Sequence, residues 1–172
     1  MSELSKFLVA FGAVATLAGC SHPSIPAGYT GPTATIKDSV KPDGDSKADF
    51  FYVASIDGRT IEESRGKTIR ANAGHASGME VQLVERAVPA RPLQLEIVGR
   101  THHASPIVSA ASREYRIKGV IRFSPEPNKT YVVRGTLSEH YSGVWLEDEA
   151  SGAVASDKVE VNGSAALNVL ER

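Results

Sequence analysis

The sequence contains one cysteine among its 172 residues, at position 20. A single cysteine has no partner for an internal disulfide, so the hydrophobic core must hold the fold. A long hydrophobic run is also absent, because the apolar stretch from Phe7 to Gly19 has roughly 13 residues, whereas a membrane-spanning helix needs about 20. That stretch is too short to be a permanent membrane span.

The chain has no excess of charge of either sign. Its 19 lysines and arginines face 20 aspartates and glutamates, for a net charge of −1 at pH 7. Removal of the first 19 residues would take away Lys6 and Glu3 together, and the balance would stay the same. A nucleic-acid-binding domain usually carries a basic patch or stripe and a high isoelectric point. The composition therefore predicts no nucleic-acid partner.

The amino terminus has the pattern of an export signal. Lys6 precedes the short apolar stretch, which ends in the small residues of Leu17-Ala18-Gly19-Cys20. These four residues resemble the lipobox of bacterial lipoproteins. The resemblance implies that residues 1–19 are removed as a signal peptide and that Cys20 carries a diacylglycerol and often a second acylation on its amino group. Durable attachment to a membrane takes at least two such signals.

The same resemblance implies a place in the cell. In Gram-negative lipoproteins a serine after the cysteine, here Ser21, usually goes with the outer membrane, whereas aspartate favours the inner one. We therefore expect a lipid-anchored envelope protein of the outer membrane that faces the periplasm. Its expected partners are the membrane, through the anchor, and an envelope protein, lipopolysaccharide or peptidoglycan. The mature chain broadly resembles the many small lipoproteins of such bacteria, and no cofactor is expected.

Residues 20–47 are predicted to form a flexible linker between the anchor and the folded domain. The segment has little periodic apolar pattern and contains four prolines, at positions 23, 26, 32 and 42. A flexible segment of about 25 residues averages roughly 25 to 30 Å end to end. An alternative for Thr33 to Val40 is an edge strand, because Ala34 and Ile36 alternate with polar residues.

From residue 48 to 172 the dominant pattern has period two, which sends successive side chains to opposite faces of a sheet. The clearest case runs from Tyr115 to Phe123, where Ile117 and Ile121 face one way while Arg116 and Lys118 face the other. Further strands are predicted at Phe50 to Ile56, Met79 to Val84, Leu93 to Val98, Tyr131 to Leu137, Val144 to Glu147, and Val154 to Val161. Seven or eight such strands predict an antiparallel β-sandwich, with a small barrel as the alternative.

Turn residues separate these strands. Asp57-Gly58 is a strong two-residue hairpin signal, Ser151-Gly152 is a plausible one, and Pro125 to Lys129 forms a longer loop. A helix is predicted only at Thr60 to Arg65, which has capping-box spacing, and Gly66 is expected to end it after little more than one turn. The alternative for this segment is the second strand of the Asp57-Gly58 hairpin.

The sequence shows no catalytic constellation, which favours a non-enzymatic binding or structural module. Ser64 and Lys67 have the Ser-x-x-Lys spacing of penicillin-binding enzymes, but the partner motifs are missing. His102 and His103 are adjacent, and neighbours on a strand point to opposite faces, so no metal site is predicted. The alternatives are a small metal-dependent or serine hydrolase that uses these residues, and a calcium-binding module. The acidic loops for calcium are Asp43, Asp45 and Asp49, and Glu147, Asp148 and Glu149.

Three basic residues share the outer face of the strand predicted at 115–123. They are Arg116, Lys118 and Arg122, and Arg134 is expected to join them from the next strand. Such a stripe is a candidate anion-binding surface for phosphate or carboxylate groups, while an ordinary solvated face is the alternative. The only tryptophan, Trp145, is predicted to be a core residue, because large aromatic side chains are usually well buried, and an exposed recognition aromatic is the alternative.

Overall fold

Ten strands and one helix lie in the residues that this computed structural model describes, which are 23–74, 78–105, 109, 112–168 and 171. The predicted signal peptide and Cys20 lie outside the described residues. The elements, in chain order, are β1 (Thr33–Lys37), β2 (Ser39–Pro42), β3 (Lys47–Ile56), β4 (Arg59–Thr60), α1 (Ser64–Ala71), β5 (Glu85–Pro89), β6 (Leu93–His103), β7 (Arg116–Phe123), β8 (Thr130–Leu137), β9 (Tyr141–Asp148) and β10 (Val159–Asn162).

The strands form two sheets of five strands that pack face to face, so the predicted all-β sandwich is confirmed. Sheet I has the order β10-β9-β8-β1-β5. Sheet II has the order β2-β3-β6-β7, with the short β4 paired to β3. Within the described residues, ten strands replace the predicted seven or eight. The pairing of β1 with β8 is parallel, which departs from the predicted antiparallel arrangement.

The core lies between the inner faces of the two sheets. The alternation predicted for residues 115–123 is confirmed, since Ile117, Ile121 and Phe123 point inward while Lys118 and Arg122 are exposed. The fully buried apolar side chains of this core include Ile36, Val53, Leu95, Ile97, Val133 and Leu146. Each is about a Val- or Leu-sized group whose burial contributes roughly 1.5 to 3 kcal/mol. This inner core is the main source of stability in a domain without a disulfide.

The linker predicted for residues 20–47 is wrong from Thr33 onward, because the first two strands lie within it. The strand alternative for Thr33 to Val40 is confirmed, and β1 lies inside sheet I between β8 and β5 rather than at an edge. Burial of Ala34 and Ile36 explains this placement. Pro32 precedes β1 and Pro42 ends β2, so neither proline removes a hydrogen bond from the middle of a strand.

Two other predicted strands differ from the structure. Residues 79–84 form no strand, and Met79 and Val81 instead pack on the outer face of sheet II, against an apolar cluster. That cluster consists of Ala48, Phe50, Tyr52 and Val98. The last strand begins at Val159, whereas Val154 makes only an isolated bridge to Glu147. The hydrophobic alternation at 79–84 therefore reflects side chains that pack on the face of sheet II, although the backbone of this segment pairs with no strand.

The predicted hairpin at Asp57-Gly58 is confirmed, with φ of 49° and 75° at the two turn residues. The strand alternative for the segment after it is confirmed at Arg59–Thr60, whereas the helix predicted at Thr60 to Arg65 is wrong in its bounds, because α1 begins at Ser64 and its N-cap is Glu63. The expectation that Gly66 ends the helix is wrong. The side chain of Glu63 caps the helix by accepting from the Gly66 N–H at 2.7 Å, and Gly66 leaves room for that carboxylate.

Candidate functional site

The predicted basic stripe is only partly assembled. Arg116, Lys118 and Arg122 lie on the outer face of β7 as expected, but two of them already face carboxylates. Lys118 Nζ lies 3.4 Å from Glu96, and Arg116 lies 3.9 Å from Glu171. Within the described part of the chain, Arg122 has no ion-pair partner. The anion-binding role of this face stays a prediction.

Arg134 does not join the stripe, because β8 belongs to sheet I and β7 to sheet II. It lies opposite Trp145 on β9 and 3.6 Å from Glu147. Trp145 is half-buried on the outer face of sheet I, so its prediction as a core residue is wrong. Its indole N–H donates to Glu147 at 2.8 Å, and Lys158 Nζ lies 4.5 Å from the ring centroid.

Ser64, the candidate nucleophile, is fully buried. Its hydroxyl donates to Asp38 at 2.9 Å and accepts from the Val84 N–H at 2.7 Å. Both hydrogen-bonding roles of the hydroxyl are therefore occupied by the fold. The Ser64 N–H also donates to Asp38 at 2.9 Å, which fixes the first turn of α1 against the crossover from β1 to β2.

The candidate metal ligands are not brought together. Within the described residues, no group of three or more His, Cys, Asp or Glu side chains is placed to hold an ion. Asp43 pairs with Lys47 at 2.6 Å, and Glu149 pairs with Lys37 at 3.0 Å. Asp148 accepts from the backbone N–H of Ser151 at 3.0 Å. These carboxylates serve ion pairs and a turn.

The functional feature that the sequence did not predict is a cleft of about 420 Å³ between α1 and the end of β6. α1 lies outside sheet II, and its first turn is fixed by Asp38, so its next turn faces the outer side of β6. The polar residues that line the cleft are Arg65, Thr68, Asn72, Arg100, His102, His103, Ser109 and Glu114. We call this the α1–β6 cleft.

Two arginines, Arg65 and Arg100, line the α1–β6 cleft. Among the described residues, the Arg65 side chain makes no hydrogen bond or ion pair, and its Nε is buried without a partner. Arg100 Nε is likewise unpartnered, and its nearest carboxylate oxygen is on Glu114, 3.9 Å away. Burial lowers the pKa of Arg65, and the nearby charge of Arg100 lowers it further. The cleft therefore concentrates positive charge that internal partners do not fully compensate.

The two histidines of β6 add polar groups to the cleft. His103 is 5% exposed, and neither ring nitrogen has a hydrogen-bond partner in the described part of the protein. Burial lowers the pKa of His102 to about 4, and the charge of Arg65 contributes to that shift. Its ring also lies edge-on to Phe50, with centroids 6.3 Å apart. At neutral pH His102 is therefore an uncharged lining group.

Glu114 balances part of the positive charge. It is buried and accepts a hydrogen bond from Ser109, which orients the carboxylate at the rim of the cleft. Glu63, on the other side of Arg65, is half-buried, and burial raises its pKa. One of its oxygens, Oε2, is buried without a partner. Within the described residues the terminal Nη groups of Arg65 and Arg100 make no hydrogen bond, so these donors stay available for a ligand.

Unpartnered guanidinium groups in a partly buried site suit an oxyanion, because their planar N–H groups match carboxylate and phosphate oxygens. Only the motif around Ser64 drew attention to Arg65 in the sequence, and no pattern marked Arg100. Comparison of the chain with protein-family models, curated proteins and solved structures finds no match.

Proposed function

We propose that this chain is a lipid-anchored cell-envelope protein whose β-sandwich binds a small anionic ligand in the α1–β6 cleft. The proposal rests on one observation: among the residues that the structure describes, the Arg65 side chain has no hydrogen-bond partner, while Arg100 beside it has only a distant carboxylate. The anchor rests on the resemblance of Leu17-Ala18-Gly19-Cys20 to a lipobox. The outer membrane, facing the periplasm, is the proposed location.

The electrostatics of the cleft favour an anion. Two guanidinium groups held near each other at a partly buried site repel, and an oxyanion between them would relieve this repulsion while using their free N–H groups. A carboxylate or a phosphate on a small molecule meets these requirements.

The proposal is of a binding module rather than an enzyme. Ser64 is the only serine that the sequence marked as a candidate nucleophile, and its buried hydroxyl already donates to Asp38 and accepts from Val84. Of the acidic residues that could favour calcium, Asp43 and Glu149 pair with lysines and Asp148 accepts from a turn. No observation at the cleft favours either alternative over anion binding.

Thermal unfolding of the full-length protein in detergent tests the ligand class. Inorganic phosphate and succinate, titrated at constant ionic strength, are the probes. A ligand at about 100 times its Kd stabilises the native state enough to raise Tm by roughly 5 to 10 °C for a domain of this size. We expect Arg65→Gln and Arg100→Gln to abolish the rise. Absence of a saturable rise with either probe would contradict the proposal.

Arg70→Gln is the matched control for these variants. Arg70 lies on the same helix, but it is exposed and pairs with Glu62 at 2.8 Å outside the cleft. Its replacement should leave the ligand-induced rise in Tm intact. An equal loss of the rise in Arg70→Gln would point to non-specific screening of surface charge and would contradict a site at Arg65 and Arg100.

Cell fractionation tests the anchor. Within the described residues, no helix is long and apolar enough to cross a membrane. The Cys20→Ser precursor should lose both incorporation of radiolabelled palmitate and its place in the membrane fraction, whereas Ser21→Ala should retain the label. Palmitate incorporation that survives Cys20→Ser would refute lipidation at this residue.

A further inference from the structure

The segment Pro23–Pro32 leads from a position beside the start of β5 to the start of β1, and we call it the strap. At one end, Pro23 and Ser24 line a shallow surface cavity together with Val84, where the chain enters β5. At the other end, the Ala90 N–H donates to the Pro32 carbonyl at 2.8 Å, just after β5 ends. This second contact continues the pairing of β1 with β5, in which Thr33 lies opposite Pro89, and β5 is an edge strand of sheet I.

The strap has its own folded structure. The Tyr29 N–H donates to the Pro26 carbonyl at 3.2 Å, and the Tyr29 hydroxyl donates to the Pro32 carbonyl at 2.7 Å. Gly28 supplies the left-handed turn, with φ of 78°. Ser24, Ile25 and Pro26 are partly buried against the domain. The strap therefore does not behave as the free linker that its prolines predicted.

The remaining tether is very short. Three peptide units separate Cys20 from Pro23 and span at most about 11 Å when fully extended. A free linker of about 25 residues would instead average roughly 25 to 30 Å. If Cys20 holds lipid in the bilayer, the end of the strap beside Val84 must lie close to the headgroups.

We propose that the strap holds the β5 edge of the sandwich against the surface of the membrane that anchors Cys20. This inference rests on the lipid anchor of the proposed function. Leu83, next to Val84 at the anchored end, has a 51% exposed side chain and would be one apolar contact with the membrane interface. The partner of this edge is the lipid surface of the anchoring membrane.

Sheet order defines the opposite, membrane-distal edge. β10 lies four strands away from β5 in sheet I, which at about 4.8 Å per strand is roughly 19 Å. Val161 on β10 has a 39% exposed side chain, so it offers a site for a label comparable with Leu83. The two edges can therefore be compared in a single experiment.

Fluorescence quenching by lipid measures this orientation. Because Cys20 is the only cysteine and is acylated in the anchored protein, Leu83→Cys and Val161→Cys each provide one free thiol for a fluorophore. The lipidated full chain is reconstituted in vesicles of phosphatidylethanolamine and phosphatidylglycerol that contain a headgroup-linked nitroxide. We expect several-fold stronger quenching at Leu83→Cys than at Val161→Cys.

A lengthened tether is the control. A flexible Gly-Ser insert of about ten residues between His22 and Pro23 adds roughly 17 Å of average reach while leaving the strap sequence intact. This insert should reduce the Leu83→Cys quenching to the level of Val161→Cys. The same insert in the exposed turn at Ser151-Gly152 should leave the difference unchanged.

The outcomes separate the inference from the anchor on which it rests. Protein that fails to float with the vesicles would overturn the anchor and this inference together. Vesicle-bound protein with equal quenching at the two positions would overturn the orientation alone. A difference that persists with the insert before Pro23 would also overturn it, because the short tether would then not be its cause.

Discussion

Asp38 and Arg86 form a bidentate ion pair inside the protein, with Oδ1···Nη1 and Oδ2···Nη2 distances of 2.7 and 2.8 Å. Their side chains are 0% and 5% exposed. Asp38 lies where the chain passes from sheet I to sheet II, and its carboxylate also accepts from the Val53 N–H and from Ser64. This carboxylate therefore connects both sheets to the start of α1 and so positions the α1–β6 cleft.

Removal of one partner from this pair should strongly destabilise the protein. Asp38→Ala leaves the Arg86 guanidinium buried and unpaired, which typically costs about 3 to 5 kcal/mol. Urea unfolding measures the loss. Glu62→Ala is the control, because it breaks the exposed Glu62–Arg70 pair and should change the free energy of unfolding by about 1 kcal/mol or less. If Asp38→Ala lowered the free energy of unfolding by only about 1 kcal/mol or less, as the control does, the role assigned to Asp38 would be contradicted.

Ser64→Ala tests whether this serine is a positioning residue. The change leaves the buried Val84 N–H without its acceptor, and we expect a loss of about 1 to 3 kcal/mol in the free energy of unfolding. A nucleophilic serine would also react with a fluorophosphonate probe, and native protein should stay unlabelled. Labelling that disappears in Ser64→Ala would instead support the serine-hydrolase alternative.

Gly135 on β8 lies where the two sheets approach closely. A Cβ at this position would lie 2.5 Å from the Gly143 carbonyl oxygen and 2.5 Å from the buried Phe51 ring. Neither group can move without disturbing the core, so Gly135→Ala should cost at least about 1 to 3 kcal/mol. Thr136→Ala, at the next position on the strand, should lower Tm less. An unchanged Tm in Gly135→Ala would show that the sheets can move apart there.

Local features of this fold could be predicted from the sequence, because they depend on neighbouring residues. Alternation at 115–123 identified the buried face of β7, and Asp57-Gly58 identified a hairpin. Pairing between distant residues could not be predicted in this way. The loop from Pro125 to Lys129 crosses between the sheets, and a loop of the same length could also close a hairpin, so the sequence placed Arg134 in the wrong sheet.

The α1–β6 cleft was missed for a related reason. Arg65 and Arg100 are 35 positions apart, and they meet only because α1 packs on the outer face of sheet II. That packing depends on the buried contacts of Ser64 with Asp38. No period or spacing in the sequence carries this information. The alternation at 115–123 instead predicts a basic outer face on β7.

The low pKa of His102 sets a pH dependence of stability. Burial and the charge of Arg65 lower its pKa from 6.5 to about 4 in the folded protein. Between these two values the unfolded chain binds a proton that the folded chain does not bind. Stability contributed by neutral His102 is therefore complete above pH 6.5 and is lost progressively as the pH falls toward 4.

Replacement of His102 isolates this effect. His102→Asn removes the titrating group, so its free energy of unfolding should fall less between pH 7 and pH 4.5 than that of the parent protein. Carboxylates titrate in both proteins, and their contribution cancels in the difference between the two urea-unfolding curves. His140→Asn, at an exposed position, should retain the parent's dependence. If the free energy of unfolding of His102→Asn fell with pH as steeply as that of the parent, the burial of a neutral His102 in the cleft would be contradicted. An NMR titration of the His102 ring gives a second check, because phosphate or succinate bound beside Arg65 should raise the pKa of His102.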